Sequence, residues 1–307
     1  MVYNRYLMYN MDRLYELVRD RGHVCVGLDT SADYIPPKNR CLASTDAEAV
    51  LAYNQAIIDA TADISACFKV QIAYYEALGR AGLDGYARTL AMLREKKALA
   101  IADIKRGDIA DTALQYAKAH FEGDFEADFV TLSPYMGMDS IEPWLSYAKD
   151  KGKGAFVLMK TSNKGMRDFQ YLELRDTARL YHAVGDKLDA LADQHMGKYR
   201  YGAFGAVVGA DPKTGEEREE TTALRERYGK LFFLIPGYGA QGGAAEDAAL
   251  LLREGNGGVV NASRSILKAW TVKSENSGKE INNTFAAEAA REATILMRNA
   301  IWRAAGK

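Results

Sequence analysis

Three apolar segments of this 307-residue chain are interrupted or closed by charged residues. Gly27-Leu28-Asp29 ends the first, Phe68-Lys69-Val70-Gln71 carries a lysine in the second, and Ile101-Ala102-Asp103-Ile104-Lys105 carries both signs in the third. Asp103 and Lys105 are two apart, so in an extended strand both project from one face. Asp108 follows after Arg106-Gly107. An ammonium among carboxylates can stabilise developing negative charge and deliver a proton, the work of an electrostatic and general-acid site. The plainer reading is a stabilising ion-pair network with no chemistry. Buried charges are costly unless paired, so their concentration in apolar strands favours a site over scaffold. Two later segments suit an anion: Pro236-Gly237-Tyr238-Gly239-Ala240-Gln241-Gly242-Gly243, and Asn261-Ala262-Ser263-Arg264. A glycine-rich turn lets backbone N–H groups approach a phosphate, and an arginine can clamp its oxygens. Taken singly these are a tight turn and a surface arginine; together they weigh toward phosphate binding.

The elements that must hold these groups are short strands alternating with longer helical stretches. Strands are predicted at 23–29, 67–71, 99–105, 129–133, 155–161, 203–209, 231–236 and 259–263. Most are apolar on both faces, as in a parallel sheet covered by helices. Between them Tyr181, Val184, Leu188 and Leu191 form the stripe of an amphipathic helix, which His195 would continue. Eight βα units in series most simply close into a (β/α)8 TIM barrel of class α/β, whose active sites lie at the C-terminal strand ends. An open doubly wound sheet is the competitor, but no strand leads into a Gly-x-Gly-x-x-Gly turn. Absence of a Pro- or Ser-rich linker predicts one domain over 1–307, with a core of roughly 23–269 and an N-terminal helix before it. Residues 162–175 form an extra polar loop after the fifth strand, and 285–302 an extra C-terminal helix. Forty Lys and Arg against 41 Asp and Glu give a net charge of −1, so neither a nucleic-acid track nor a membrane-surface helix is expected. The apolar runs are too short to span a bilayer, and residues 1–20 lack the apolar centre of a signal peptide. Cys25, Cys41 and Cys67 are an odd, scattered set. The expectation is a reduced, cytoplasmic protein.

The string Asp103-x-Lys105-x-x-Asp108-Ile109-x-x-Thr112 resembles the signature of the orotidine 5'-phosphate decarboxylase family. Asp29, Lys69, the Pro-Gly-x-Gly-Ala-Gln-Gly-Gly loop and the Ser263-Arg264 pair are similar to that family in order and spacing. Phe156-Val157-Leu158 leading to Thr161-Ser162-Asn163, then Asp168-Phe169-Gln170, resembles its longer bacterial (type 2) subgroup. The resemblance spans about 23–266. It implies decarboxylation of orotidine 5'-monophosphate to UMP and CO2, the last step of UMP biosynthesis, without cofactor or metal. It further implies that Lys105 protonates the pyrimidine C6, held by Asp103 and Asp108, with Asp103 facing the departing carboxylate. Lys69 and Asp29 would meet the ribose, Ser162 and Asn163 the pyrimidine edge, and Gln241, Gly242, Gly243 and Arg264 the phosphate. Asp108 and Thr112 would reach the neighbouring site of a homodimer. Lys164, Tyr238 and Asp111 depart from the usual proline, aliphatic and asparagine residues, which bears on loop geometry.

Other chemistries stay open on the residues alone. A Schiff-base aldolase also uses a barrel lysine, but needs it neutral, and flanking carboxylates oppose that. A magnesium-dependent sugar-phosphate decarboxylase or aldolase could use the carboxylates as oxygen ligands. A non-catalytic nucleotide-phosphate binder would keep the phosphate loops without needing the Asp-Lys-Asp set. His23, His120, His182 and His195 show no metal-ligand spacing, and Trp144, Trp270 and Trp302 read as packing residues.

Overall fold

The computed structural model describes residues 8–175, 179–210, 214–239, 244–274, 278 and 280–306. Eight parallel strands close on themselves in chain order: β1 (Val24–Gly27), β2 (Cys67–Gln71), β3 (Ala100–Arg106), β4 (Phe129–Leu132), β5 (Gly154–Lys160), β6 (Phe204–Val208), β7 (Phe233–Ile235) and β8 (Gly258–Ala262). β2 coincides with its predicted segment, and the other seven overlap theirs to within one or two residues at the ends. This is the (β/α)8 barrel, with helices in the connections, a helix Asn10–Arg21 before β1 and a helix Asn283–Ala304 after β8.

Alternation along the strands sorts their side chains into two apolar layers. Val26, Phe68, Val70, Ala100, Ala102, Val130, Val157, Ala206, Phe233 and Val260 face outward and pack under the helices. Cys25, Cys67, Ile101, Phe129, Phe156, Val207, Leu234 and Val259 face the barrel axis. Because helices cover the outside and side chains fill the inside, both faces of each strand must be apolar. The N-terminal helix closes the bottom: Met11, Leu14 and Val18, at spacings of three and four, join the interior layer. Cys25 and Cys67 are register partners there, buried as free thiols, while Cys41 is exposed.

The helix after β7, Ala245–Ala249, is too short to cover its share of the sheet. The 22-residue helix Asn283–Ala304 packs against it, β1 and the helix Asp46–Thr61. Its buried stripe of Ala286, Ala290, Thr294, Met297 and Ile301 has helical spacing and mostly small side chains. The helix carrying Tyr181, Leu188 and Leu191 ends at Ala192. His195 therefore does not continue the stripe but lies half-buried in a 3-10 turn. Among the described residues no helix is long and apolar enough to cross a membrane.

Leu14 is fully buried in the floor of the barrel. Leu14→Ala should cost about 2–5 kcal/mol of stability, the usual toll of a core leucine truncation. Denaturant titration would register it as a lower midpoint with an unchanged slope.

Candidate active site

Above the apolar interior the same inward rows turn polar. One layer up from Cys67 and Ile101 stand Lys69 on β2 and Asp103 on β3, while Asp29 lies two residues beyond β1. Lys69 Nζ is 2.8 Å from Asp29 Oδ1 and 2.9 Å from Asp103 Oδ2. Lys105 Nζ is 2.6 Å from Asp103 Oδ1. The order Asp29–Lys69–Asp103–Lys105 thus alternates in sign across three neighbouring strands. The side chains of Lys69 and Asp103 are 6% and 7% exposed, whereas that of Lys105 is 48% exposed and turned to the cavity.

Burial opposes charge on Lys69, but Asp103 and Asp29 outweigh it and hold its ammonium well above the usual lysine range. Burial likewise opposes ionisation of Asp103, and Lys69 and Lys105 overcome it, holding that carboxyl well below the usual carboxylate range. Gln71 Nε2 donates to Asp103 Oδ2 at 2.9 Å, and Thr131 Oγ1 donates to Asp103 Oδ1 at 2.8 Å. Ser263 Oγ donates to Asp29 Oδ2 at 3.0 Å. Gln71 and Thr131 are polar strand residues with no local sequence signal of their role, and Ser263, noted beside Arg264, turns out to serve Asp29.

Strand periodicity alone does not account for the meeting of Asp103 and Lys105. The register of β3 against β4 shifts between Ala102 and Arg106, and Lys105 takes a φ of 45°, in the left-handed region. A bulge therefore re-aims Lys105, a strained arrangement of the kind that clusters at functional sites.

Two adjoining cavities share Lys69, Asp103, Lys105, Pro236 and Asn261. The outer one, about 490 Å³, reaches Asp29, Tyr34, Tyr74, Tyr238, Ser263 and Arg264. The inner one, about 250 Å³, has Leu158, Val207 and Leu234 on its walls and Thr161, Ser162 and Asn163 at its rim. Asn261 Oδ1 is buried between them with no hydrogen-bond partner among the described residues. Ser162 comes so close to β6 that a Cβ at Gly209 would lie 2.7 Å from its own Cβ, so glycine is required there. Gln170 steadies the rim, accepting from Thr161 N at 2.8 Å and donating to Thr161 Oγ1 at 2.9 Å. Gly237 and Gly239 have φ of 103° and 70°, conformations that suit the turn after β7 to glycine.

Gln241, Gly242 and Gly243 lie outside the described residues. Asp108 and Thr112 line neither cavity: Asp108 Oδ1 accepts from Ile109 N at 2.9 Å, and Thr112 is exposed in the first turn of the helix Ala110–Phe121. Within one chain Asp108 therefore does not pair with Lys105, lying in the loop beyond the end of β3. A larger hollow of about 960 Å³ lies beside Arg167, Arg179, Glu217 and Glu220, away from the lysines. Four of its charges pair with each other, Arg167 with Glu217 and Arg179 with Glu220, and among the described residues it contains no counterpart of the buried lysine–carboxylate row. Among the described residues no group of three or more His, Cys, Asp or Glu side chains could hold a metal ion.

Asp103 ionises more readily in the folded than in the unfolded chain, so its charge adds stability above the unfolded value of about pH 4. That contribution shrinks as pH falls from there toward the lower native value. The melting-temperature gap between wild type and Asp103→Asn should accordingly be full at neutral pH and close in acid. A gap that persists undiminished in acid would contradict it.

The chain matches the model of the "Orotidine 5'-phosphate decarboxylase / HUMPS family" over residues 22–276. It is 54% identical over 290 residues to an orotidine 5'-phosphate decarboxylase of Clostridium perfringens, covering 94% of this chain and 97% of the relative. A Clostridium acetobutylicum protein of the same name is 52% identical over 291 residues, covering 95% and 98%. Among solved structures, an orotidine monophosphate decarboxylase of Leishmania donovani superposes with a TM-score of 0.70 at 31% identity, covering 95% of this chain and all of that one. With the alternating lysine–carboxylate row at the mouth of a closed barrel and near-full-length identity above one half, the chain belongs to the orotidine 5'-phosphate decarboxylase family.

Proposed function

We propose that this enzyme converts orotidine 5'-monophosphate to UMP and CO2, completing UMP biosynthesis, with Lys105 as the proton donor. The observation that carries the assignment is the position of Lys105: its ammonium stands on the wall common to both cavities, anchored from behind by a buried Asp103. When the bond from C6 to the carboxylate breaks, the electron pair stays on C6 and CO2 leaves. A fixed ammonium about 4 Å away offsets such a charge by about 4 kcal/mol at an effective dielectric near 20. Nζ–H then passes its proton to C6, the N–H pair remains on Nζ, and solvent restores the ammonium. Asp103 keeps Lys105 in place and faces the substrate carboxylate.

The remaining roles are those that the family resemblance implies, and the linings of the two cavities support them for the described residues. Asp29 and Lys69 serve the ribose hydroxyls in the outer cavity. Arg264, with Gln241, Gly242 and Gly243, takes the phosphate. Ser162 and Asn163 offer hydrogen bonds to the edge of a flat ring seated against Leu158, Val207 and Leu234. Phosphate binding, remote from C6, supplies energy that can be used in the transition state. No metal or organic cofactor enters this scheme: Asp29 and Asp103 both spend their oxygens on Lys69, Lys105 and hydroxyl or amide donors. The chain is read as one catalytic domain working in the cytoplasm.

Asp108 and Thr112 act in a partner subunit's site, making a homodimer the working unit. Ile109, Leu114, Tyr135, Met136 and Phe169 are exposed apolar side chains in the segments after β3, β4 and β5, and Tyr135 and Phe169 lie edge to face, which supports association on this side.

The decisive assay is loss of the orotidine monophosphate absorbance with UMP recovered as product, at full rate after EDTA treatment. Lys105→Ala should lower kcat by at least about a thousandfold, as expected for an essential general acid. Unchanged turnover in that variant would remove Lys105 from the mechanism. For the shared site, mixing inactive Lys105→Ala and Asp108→Asn chains should restore activity, because a mixed dimer keeps one site with both residues intact. No recovery in verified mixed dimers would place Asp108 outside the partner's site.

A further inference from the structure

We infer that Thr131 is the positioning residue that sets the catalytic lysine, an inference that rests on the decarboxylase reading of Lys105. Ala102 pairs with Val130 and Arg106 with Leu132, so three residues of β3, Asp103 to Lys105, stand opposite the single residue Thr131 of β4. Such a bulge leaves backbone N–H groups without ladder partners. Thr131 Oγ1 accepts from both surplus donors, Ile104 N at 3.0 Å and Lys105 N at 3.0 Å. A hydroxyl has two acceptor positions and one proton. With both acceptor positions filled, the proton points to Asp103 Oδ1, 2.8 Å away, and that same oxygen holds Lys105 Nζ at 2.6 Å.

One buried hydroxyl therefore grips the lysine at both ends: its left-handed backbone through the amide, and its ammonium through Asp103. It also requires an acceptor at Asp103, which a carboxylate provides. Thr131 lines the inner cavity beside Leu158 and Ser162 but reaches the reacting atoms through Lys105 and Asp103. Valine has the same branched shape without the hydroxyl, and serine keeps the hydroxyl without the methyl.

The test compares wild type, Thr131→Val and Thr131→Ser, each verified as folded by circular dichroism at the assay temperature. Thr131→Val should lower kcat by about tenfold to a hundredfold, the effect of misplacing a reacting group by about an ångström. KM and UMP affinity should change little, because the ribose and phosphate contacts are untouched. Thr131→Ser should recover most of the lost kcat. A purely structural role would instead lower the melting temperature and leave the kcat of the folded fraction intact. Wild-type kcat in folded Thr131→Val, or Thr131→Ser as slow as Thr131→Val, would overturn the inference while the decarboxylase reading stands. Absence of wild-type turnover would overturn both.

Discussion

Taking an ammonium ion out of water costs several kcal/mol even after the surrounding protein relaxes, and Lys69 is almost wholly out of water. Its charge is sustained by Asp29 on one side and Asp103 on the other. Asp103 is itself buried and is sustained in turn by Lys69 and Lys105. Each of the two buried ions helps to keep the other charged, while Lys105, at one end of the row, is the most exposed to the cavity. The register pairs Gly27 with Lys69 and Gln71 with Asp103, which sets Lys69 on the strand between Asp29 and Asp103 and within reach of both. A charged row held by strand register has little freedom to reorganise, which is the condition for electrostatic catalysis.

The rest of the barrel serves that row by separating a dry half from a polar half. Below it, Cys25, Cys67, Ile101, Phe129 and Phe156 fill the axis, and the N-terminal helix seals the bottom. Above it, the chain leaves the strands in loops that open the two cavities. Packing below excludes water from the backs of Lys69 and Asp103, strengthening their interactions. The bulge in β3 does the opposite for Lys105, swinging it out to where a substrate can meet it.

Much of the site was legible because charge in an apolar strand is anomalous. Lys69, Asp103 and Lys105 stand out against the valines and isoleucines around them, and the structure brings all three together with Asp29. Arg264, Ser162 and Asn163 also line the expected cavities. Thr131 was not legible, because threonine suits a strand for its shape alone. Gln71 and Ser263 stand in segments that drew notice, but their bonds to Asp103 and Asp29 were not legible, because those partners lie many residues away in sequence. Within one chain Asp108 does not reach Lys105, since it lies in the loop beyond the end of β3. The helix stripe overran at His195, since apolar spacing marks a helix face better than it marks where the helix stops.

The sequence by itself determined the barrel and the identity of its reactive ions. Both rest on local information: the order of apolar segments, their apolar character on both faces, and the rarity of unpaired charge in such segments. Tertiary structure decided how those ions are aimed. Lys105 is directed by a bulge that exists only in the pairing of β3 with β4, and by a hydroxyl on the far side of that pairing. Geometry set by strand register depends on two segments at once, so it cannot be read from either one alone.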